Sequence, residues 1–258
     1  MNPTWTAGPS VTGSLAAILG HRSGRLLLGR GRTAPLPKPG REPGRDRARQ
    51  AAVEGVAPGI DSRRVPLLST SAPDWAPAAA RLVRGRPPRA GRCRVMAVEG
   101  PSGAGKTAVA ERLAAELDCP VLHMDDLYPG WDGLAASVPL ARAWLIEPLL
   151  RGRNPRWRPF DWDLGRHATA WREAPVGDAL LIEGCGTGAE ELRPYLSVLA
   201  WVEAPAPLRG QRLARRWDAD LYAPYREMWA RQEDAFYADH RPREHADLII
   251  ENPAAGLL

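Results

Sequence analysis

The residues best suited to chemistry in this sequence stand in the segment GPSGAGKT, residues 100–107. The segment fits the pattern G-x-x-x-x-G-K-[ST], in which glycines let backbone N–H groups close around phosphate oxygens. We expect Lys106 to reach the β- and γ-phosphates of a nucleotide as a point charge, and the Thr107 hydroxyl to bind Mg²⁺. The phosphate-binding residues predicted from this pattern are Gly100, Ser102, Gly103, Ala104, Gly105, Lys106 and Thr107.

Lysine is otherwise rare in this chain, which has two lysines, Lys38 and Lys106, against 33 arginines. A planar guanidinium does not fit where a narrow ammonium group must enter the loop, which explains a lysine at this position. Standard GTPases select guanine with an Asn/Thr-Lys-x-Asp motif, and neither lysine is followed by Asp two residues later. The Leu-Ser-Gly-Gly-Gln signature of transporter ATPases is also missing from the sequence. These observations favour the kinase branch of the P-loop proteins or an atypical ATPase.

Two neighbouring aspartates, Asp125 and Asp126, follow an apolar segment, residues 120–124, that we predict to be a strand. Functional groups gather at the carboxyl ends of parallel strands, so this pair should face the phosphate loop. A carboxylate there can accept the proton of an attacking hydroxyl or hold Mg²⁺ through water. The alternative is an acidic pair that caps a helix in a loop. His123, inside the strand, is expected to be packed or hydrogen-bonded rather than catalytic.

Strands and helices are predicted to alternate from residue 93 onward. Near-continuous apolar strands that alternate with helices indicate a parallel sheet covered on both faces. We therefore predict an α/β fold, a P-loop NTPase three-layer sandwich with a five-stranded parallel sheet. The predicted strands are 93–99, 120–124, 178–183, 196–203 and 246–250, and the predicted helices are 73–83, 107–117, 137–150, 206–217 and 221–239.

Charge and composition divide the chain into two parts. Residues 1–90 carry a net charge of +10 and residues 91–258 a net charge of −5, and the first part is rich in Pro and Gly. We predict a disordered extension over residues 1–72, or a misplaced start, and a kinase domain over 73–258. A nucleic-acid or membrane-surface tail and a transit peptide are the alternatives for the extension.

The lengths of the apolar runs and the number of cysteines indicate the compartment in which the protein works. The apolar runs fall short of the roughly 20 residues that a membrane-spanning helix needs, so we expect no membrane partner. Three cysteines without paired spacing favour a reducing compartment, the cytoplasm, and no structural metal.

Four segments together, GPSGAGKT, HMDDLY, RPFDWD and LLIEG, resemble the uridine kinase-like group of P-loop kinases. That group includes uridine/cytidine kinases, nicotinamide riboside kinases, phosphoribulokinase and bacterial pantothenate kinases. The resemblance covers about residues 75–252. It implies ATP and Mg²⁺ as cofactors and transfer of the γ-phosphoryl group to a hydroxyl of a small molecule.

The resemblance also implies roles for single residues. Asp125 would be the general base, with Asp126 and Tyr128 shaping the substrate pocket. Phe160 and Asp161 match an aromatic-Asp pair that holds ribose hydroxyls, unless they belong to a surface loop.

Glu183 would organise Mg²⁺ with Thr107, because it ends a predicted strand beside the phosphate loop. The alternative is a Glu that caps the end of the strand.

Arginines near residues 207–220 resemble the lid of this group, which closes over ATP. Arg209, Arg212 and Arg216 share one helical face, and Arg212 and Arg216 are the predicted catalytic arginines. The alternative is a solvated face that pairs with Asp218 and neighbouring acids.

The function implied is a kinase acting on the 5′-hydroxyl of a nucleoside such as uridine or cytidine. A kinase of nicotinamide riboside, pantothenate or a sugar phosphate remains open, as does a non-kinase ATP-binding regulatory protein. The expected partner is a small-molecule substrate, nucleic acid is expected at most at the basic tail, and the oligomeric state is left open.

Overall fold

The computed structural model describes residues 65–253 of the chain, and the N-terminal extension predicted from sequence lies mostly outside them. The strands are β1 (Leu67–Ser69), β2 (Arg94–Glu99), β3 (Val121–His123), β4 (Arg156–Trp157), β5 (Phe160–Asp161), β6 (Arg166–His167), β7 (Arg172–Glu173), β8 (Ala179–Glu183), β9 (Leu196–Glu203) and β10 (Leu248–Glu251). The helices are α1 (Trp75–Arg84), α2 (Lys106–Leu117), α3 (Leu134–Ala141), α4 (Glu147–Leu150), α5 (Ala206–Arg215), α6 (Ala219–Tyr222) and α7 (Arg226–His240).

Six strands form one parallel sheet in the order β1-β10-β9-β2-β8-β3. This confirms the predicted α/β architecture, with one strand more than the five expected. The additional strand is β1, which pairs with β10 at the edge of the sheet. Because β1 lies before residue 73, the predicted start of the folded unit is too late.

Successive side chains of the central strands point to opposite faces of the sheet, and both faces are buried. On β2, Val95 and Ala97 pack into one core, while Met96 and Val98 pack into the other. Helices α1 and α2 cover the second core, and helices that include α3 and α7 cover the first. This two-sided burial is why the strands read as continuous apolar runs, and it yields the three layers predicted from sequence.

Two predicted helices are divided in the structure. The helix predicted over 137–150 consists of α3, a π-helical turn (Arg142–Ile146) and α4, and the range predicted as one helix over 221–239 contains the end of α6, a 3-10 turn (Ala223–Tyr225) and most of α7. Proline has no N–H to donate within a helix, which accounts for the breaks beside Pro148 and Pro224. Among residues 65–253, no helix has the length and apolar character to cross a membrane.

The carboxyl ends of the central strands meet at one edge of the sheet. In the strand register, Glu183 of β8 lies beside Val98 of β2 on one side and beside His123 of β3 on the other. The loops that leave β2, β3 and β8 therefore begin next to one another, which brings the predicted site residues together.

Candidate active site

The segment 100–107, called the phosphate loop below, joins the end of β2 to the first turn of α2. Gly103 and Gly105 have left-handed φ angles of +77° and +92°. A Cβ atom at Gly105 would lie 2.3 Å from the side-chain nitrogen of Asn252, and one at Gly103 would lie 2.6 Å from the Arg209 carbonyl oxygen. Both the backbone conformation and the close packing require glycine at these two positions.

Lys106 begins α2 and points back across the phosphate loop. Its Nζ donates a hydrogen bond of 2.7 Å to the Gly100 carbonyl and lies 3.5 Å from Cys185 Sγ. Burial lowers the pKa of Lys106, but nearby negative charges, including those of Glu233 and Glu183, outweigh burial and raise it above its ordinary value. The ammonium group therefore stays charged at physiological pH.

Thr107, Glu183 and His123 converge beside the phosphate loop. The Thr107 hydroxyl donates to Glu183 Oε1 at 3.2 Å, and His123 Nδ1 lies 2.7 Å from the same oxygen. Burial lowers the pKa of His123, but its hydrogen bond with Glu183 outweighs that effect and raises it. His123 is thus hydrogen-bonded, as expected, although its partner is a residue of the site.

Asp125 lies at the same edge, in a single 3-10 turn (Met124–Asp126) that follows β3, and it is exposed to solvent. Partial desolvation by the surrounding protein, together with the charge of Glu183, raises the pKa of Asp125. Arg216 and Lys106 act in the opposite direction, so both cations are close enough to influence this carboxylate. A carboxyl group with a raised pKa, beside a phosphate loop, is suited to accept a proton.

Asp126 makes its side-chain contacts with the β4–β7 pair. Its Oδ2 accepts a hydrogen bond of 2.7 Å from the Trp157 indole and lies 3.5 Å from a guanidinium nitrogen of Arg172. Adjacent aspartates therefore have different surroundings, one near Lys106 and one held by a tryptophan and an arginine.

Tyr128 does not line the site, contrary to the prediction from sequence. The side chain is 2% exposed, and its hydroxyl donates to the Cys185 carbonyl at 2.8 Å. The ring packs edge-on against Trp229, with centroids 4.8 Å apart. Tyr128 supports the loop that follows β8 from within the core.

Phe160 and Asp161 form β5 of a short hairpin next to the aspartates. Phe160 packs edge-on against Trp162, whose indole donates to the Asp125 carbonyl at 3.3 Å. Asp161 Oδ1 accepts the backbone N–H groups of residues 163 and 164, at 3.1 and 2.9 Å. One carboxylate oxygen of Asp161 therefore closes the hairpin turn, and the sugar-binding role stays a prediction.

Arg212 lies behind the phosphate loop rather than over the site, which corrects its assignment as a lid residue. It is 6% exposed and donates to the carbonyls of Gly103, Ala104 and Asn252 at 3.2, 3.0 and 3.0 Å. The face of α5 that carries Arg212 packs against the loop, so this guanidinium supports the loop backbone.

Arg216 follows the end of α5 and is the predicted arginine that influences Asp125. Its guanidinium makes a two-nitrogen ion pair with Asp218, with one N–O distance of 2.6 Å, and lies 5.1 Å from the ring centre of Tyr222. Pairing with Asp218 was the alternative to a lid role for the arginines in the sequence analysis. Arg216 makes this ion pair.

Glu99 is a site residue that the sequence analysis missed. It ends β2, has no exposed surface, and accepts the N–H groups of Gly186 and Gly188 at 2.9 and 2.8 Å and that of Gly100 at 3.1 Å. Burial raises its pKa to about 7, against the effect of these hydrogen bonds. The available signal was a charged residue at the end of an apolar strand, followed later by the glycine-rich segment 184–188.

The donor groups at this edge suit a magnesium ion that also binds phosphates. Among residues 65–253, no three His, Cys, Asp or Glu side chains converge into a metal-binding group. Mg²⁺ is commonly held by one or two carboxylates together with substrate phosphates. The Thr107 hydroxyl and the Glu183 carboxylate, 3.2 Å apart, fit such a donor set.

Comparison with known proteins finds similar proteins whose names describe kinases. A cytidylate kinase from Halobacterium salinarum is 32% identical over 142 residues, which are 54% of this chain and 67% of that protein. A proposed uridine kinase from Bacillus stearothermophilus is similar in structure, with a TM-score of 0.48, 20% identity, and coverage of 68% of this chain and 96% of that one. A proposed fructose transport system kinase from Silicibacter sp. has a TM-score of 0.44, 21% identity, and coverage of 68% and 98%. No family model matches the sequence.

A phosphate loop at the carboxyl edge of a parallel sheet, with a lysine and two carboxylates beside it, defines a P-loop phosphotransferase. Together with the curated relative, this site places the chain in a family: it belongs to the uridine kinase-like P-loop kinases. Its acceptor carries a hydroxyl or similar group.

Proposed function

We propose that this kinase transfers the γ-phosphoryl group of ATP, in the presence of Mg²⁺, to the 5′-hydroxyl of a nucleoside such as uridine or cytidine. The observation that carries the proposal is the meeting of Asp125, Lys106 and the Thr107–Glu183 pair at one edge of the sheet. P-loop kinases generally use ATP with Mg²⁺, which supports the choice of donor and metal.

Each group has a distinct task in the proposed reaction. Lys106 and the first-turn N–H groups of α2 would hold the phosphates, and Thr107 and Glu183 would hold Mg²⁺, which would supply positive charge to neutralise the phosphates. Asp125 accepts the proton of the acceptor hydroxyl while the hydroxyl oxygen forms a bond to the γ-phosphorus. The bond from the γ-phosphorus to the β-phosphate oxygen breaks, and ADP leaves. Arg216 offsets the negative charge that develops on the transferred group.

The acceptor side is proposed to be the surface formed by Asp126, Phe160, Asp161 and Trp162. Aromatic rings next to carboxylates suit a nucleoside, which has a planar base to stack and sugar hydroxyls to donate hydrogen bonds. The ring contacts of Phe160 and Trp162, 5.0 Å between centroids, provide the aromatic part of this surface.

A nucleoside monophosphate is the second candidate acceptor. The relative from Halobacterium salinarum carries the name cytidylate kinase. Arg172, which lies 3.5 Å from Asp126 and is partly exposed, adds a cation that could meet an acceptor phosphate.

ATP consumption against a panel of acceptors tests the proposal. The panel comprises uridine, cytidine, cytidylate, nicotinamide riboside, pantothenate and ribulose 5-phosphate, each with and without Mg²⁺. Mg²⁺-dependent turnover of uridine or cytidine supports the proposal, and turnover of cytidylate supports the second candidate. Turnover confined to the other acceptors rejects both, and ATP binding without any turnover favours a regulatory protein.

A further inference from the structure

A carboxylate from the far end of the chain reaches the phosphate loop. Glu233 of α7 is 6% exposed and lies 131 residues beyond Ser102, the third residue of the loop. Burying a carboxylate is unfavourable unless hydrogen-bond donors surround it, so the donors around Glu233 indicate what it holds.

All the donors converge on one oxygen of Glu233. Oε1 accepts the Ser102 N–H at 3.1 Å, the Ser102 hydroxyl, the Cys185 thiol at 3.1 Å and the Trp229 indole at 3.0 Å. The other oxygen, Oε2, has a longer contact of 3.3 Å with the Ser102 N–H. Burial holds the pKa of Cys185 well above its ordinary value, so the thiol keeps its proton and remains a donor.

These contacts hold Ser102 through its side chain and through the peptide groups before and after it. Its N–H and hydroxyl are bound to Glu233, while its carbonyl accepts a hydrogen bond of 3.0 Å from Arg209 of α5. The first half of the phosphate loop is thus held by side chains of α5 and α7. The second half leads into α2, whose first-turn N–H groups have no partners within the helix and can serve phosphate oxygens.

We propose that Glu233 is a positioning residue for the nucleotide, holding Ser102 so that the phosphate loop keeps its binding shape before ATP arrives. A loop that is already ordered pays less conformational entropy when the phosphates bind. The role belongs to the acceptor oxygen of Glu233, and its negative charge is secondary. This inference rests on the proposed function, because it assumes that the loop receives ATP.

Three substitutions separate position from charge. Glu233→Gln removes the charge but keeps a carbonyl oxygen, Oε1, whose two lone pairs can accept the N–H and hydroxyl of Ser102. Glu233→Asp keeps the charge but is one methylene too short to reach Ser102, and Glu233→Ala removes both. Asp234→Asn is the matched control, because it removes an acidic charge from the exposed neighbouring position of α7.

Calorimetric Kd values for Mg-ATP and Mg-ADP provide a readout that is independent of any acceptor, and the Tm of each ligand-free variant is measured alongside. We expect Glu233→Ala and Glu233→Asp to bind about tenfold more weakly or worse, since each loses the buried hydrogen bonds to Ser102. Glu233→Gln keeps a neutral acceptor for Ser102, so its Kd should stay within about threefold of the wild-type value, and that of Asp234→Asn should not change.

Three results would overturn the role of Glu233. These are wild-type affinity in Glu233→Asp, wild-type or tighter binding in Glu233→Ala, and a Glu233→Gln variant as weak as the alanine variant. If Glu233→Ala does not fold, the Asp and Gln variants decide the matter. A wild-type protein that binds no ATP would instead reject the proposed function, so the two failures are distinguishable.

Discussion

The two sides of the site are built differently. On the donor side, the phosphate loop is held by buried charged groups: Glu99 and Glu233 accept its N–H groups, and Arg212 donates to its carbonyls. On the acceptor side, short strands carry partly exposed aromatic rings, and the aspartates bind an indole, an arginine and a hairpin turn.

This difference separates chemistry from selectivity. The donor side holds backbone groups in place, and a change to any buried partner disturbs the loop and the sheet edge together. The acceptor side depends on side chains outside the six-stranded sheet, which can change without altering the phosphate loop. We therefore expect acceptor choice to reside in the segment 156–173 and catalytic power at the sheet edge.

The largest expected effect comes from Asp125, which stands between the two sides. Asp125→Asn should lower kcat by roughly 10²–10⁴-fold, because the amide cannot accept the proton, while the Kd of ATP changes little. In the wild type, the raised pKa of Asp125 should make activity fall, as the pH decreases, at a higher pH than for an ordinary aspartate. Steady-state kinetics across pH would check both points, and unchanged turnover in the variant would remove Asp125 from the role of base.

The next prediction concerns Glu99, a buried residue on the donor side, and its contribution to the free energy of unfolding. The pKa of Glu99 is raised from 4.5 to about 7 on folding, so the native state binds a proton that the unfolded state releases. The stabilisation from this difference is fully present below pH 4.5 and is lost as the pH rises through 7, an amount on the order of 3 kcal/mol.

Denaturant unfolding of the wild type and of Glu99→Gln between pH 4.5 and 8 measures this contribution. The difference in unfolding free energy between the two proteins should depend on pH within this window, because Gln does not titrate. A difference that stays constant with pH would show that Glu99 does not change its protonation on folding.

A smaller effect is expected on the acceptor side. Asp161→Asn keeps an oxygen that can close the hairpin turn but removes the charge proposed to bind sugar hydroxyls. The KM of the acceptor should rise about tenfold while the KM of ATP is unchanged. Asp163→Asn, in the exposed turn, is the control, and an equal rise in both variants would contradict a specific role for Asp161.

The smallest effect distinguishes packing from substrate binding at Tyr128. Tyr128→Phe removes the hydrogen bond to the Cys185 carbonyl and should reduce the unfolding free energy by about 1 kcal/mol. Kinetic constants for both substrates should remain those of the wild type. An increase in acceptor KM without loss of stability would instead place the hydroxyl in the substrate pocket.

Local sequence patterns predicted much of the fold and of the site. The phosphate loop, the order of strands and helices, and the position of Asp125 after a strand were all readable, because each depends on neighbouring residues. The sixth strand was missed since Leu67–Ser69 is only three residues long and follows a segment rich in Pro and Gly. Tyr128 was misplaced because its hydroxyl is directed by a carbonyl 57 residues away.

The sequence by itself determined the class of this protein, since a loop with the pattern G-x-x-x-x-G-K-[ST] between a buried strand and a helix is typical of nucleotide phosphate binding. Only the tertiary structure decided which polar groups serve the loop. Arg212 and Arg216 are four residues apart, yet one supports the loop backbone and the other influences Asp125. The crossover from β9 to β10 brings α5 and α7 against the phosphate loop and sets those contacts. Contacts between residues more than a hundred positions apart leave no local pattern in the sequence.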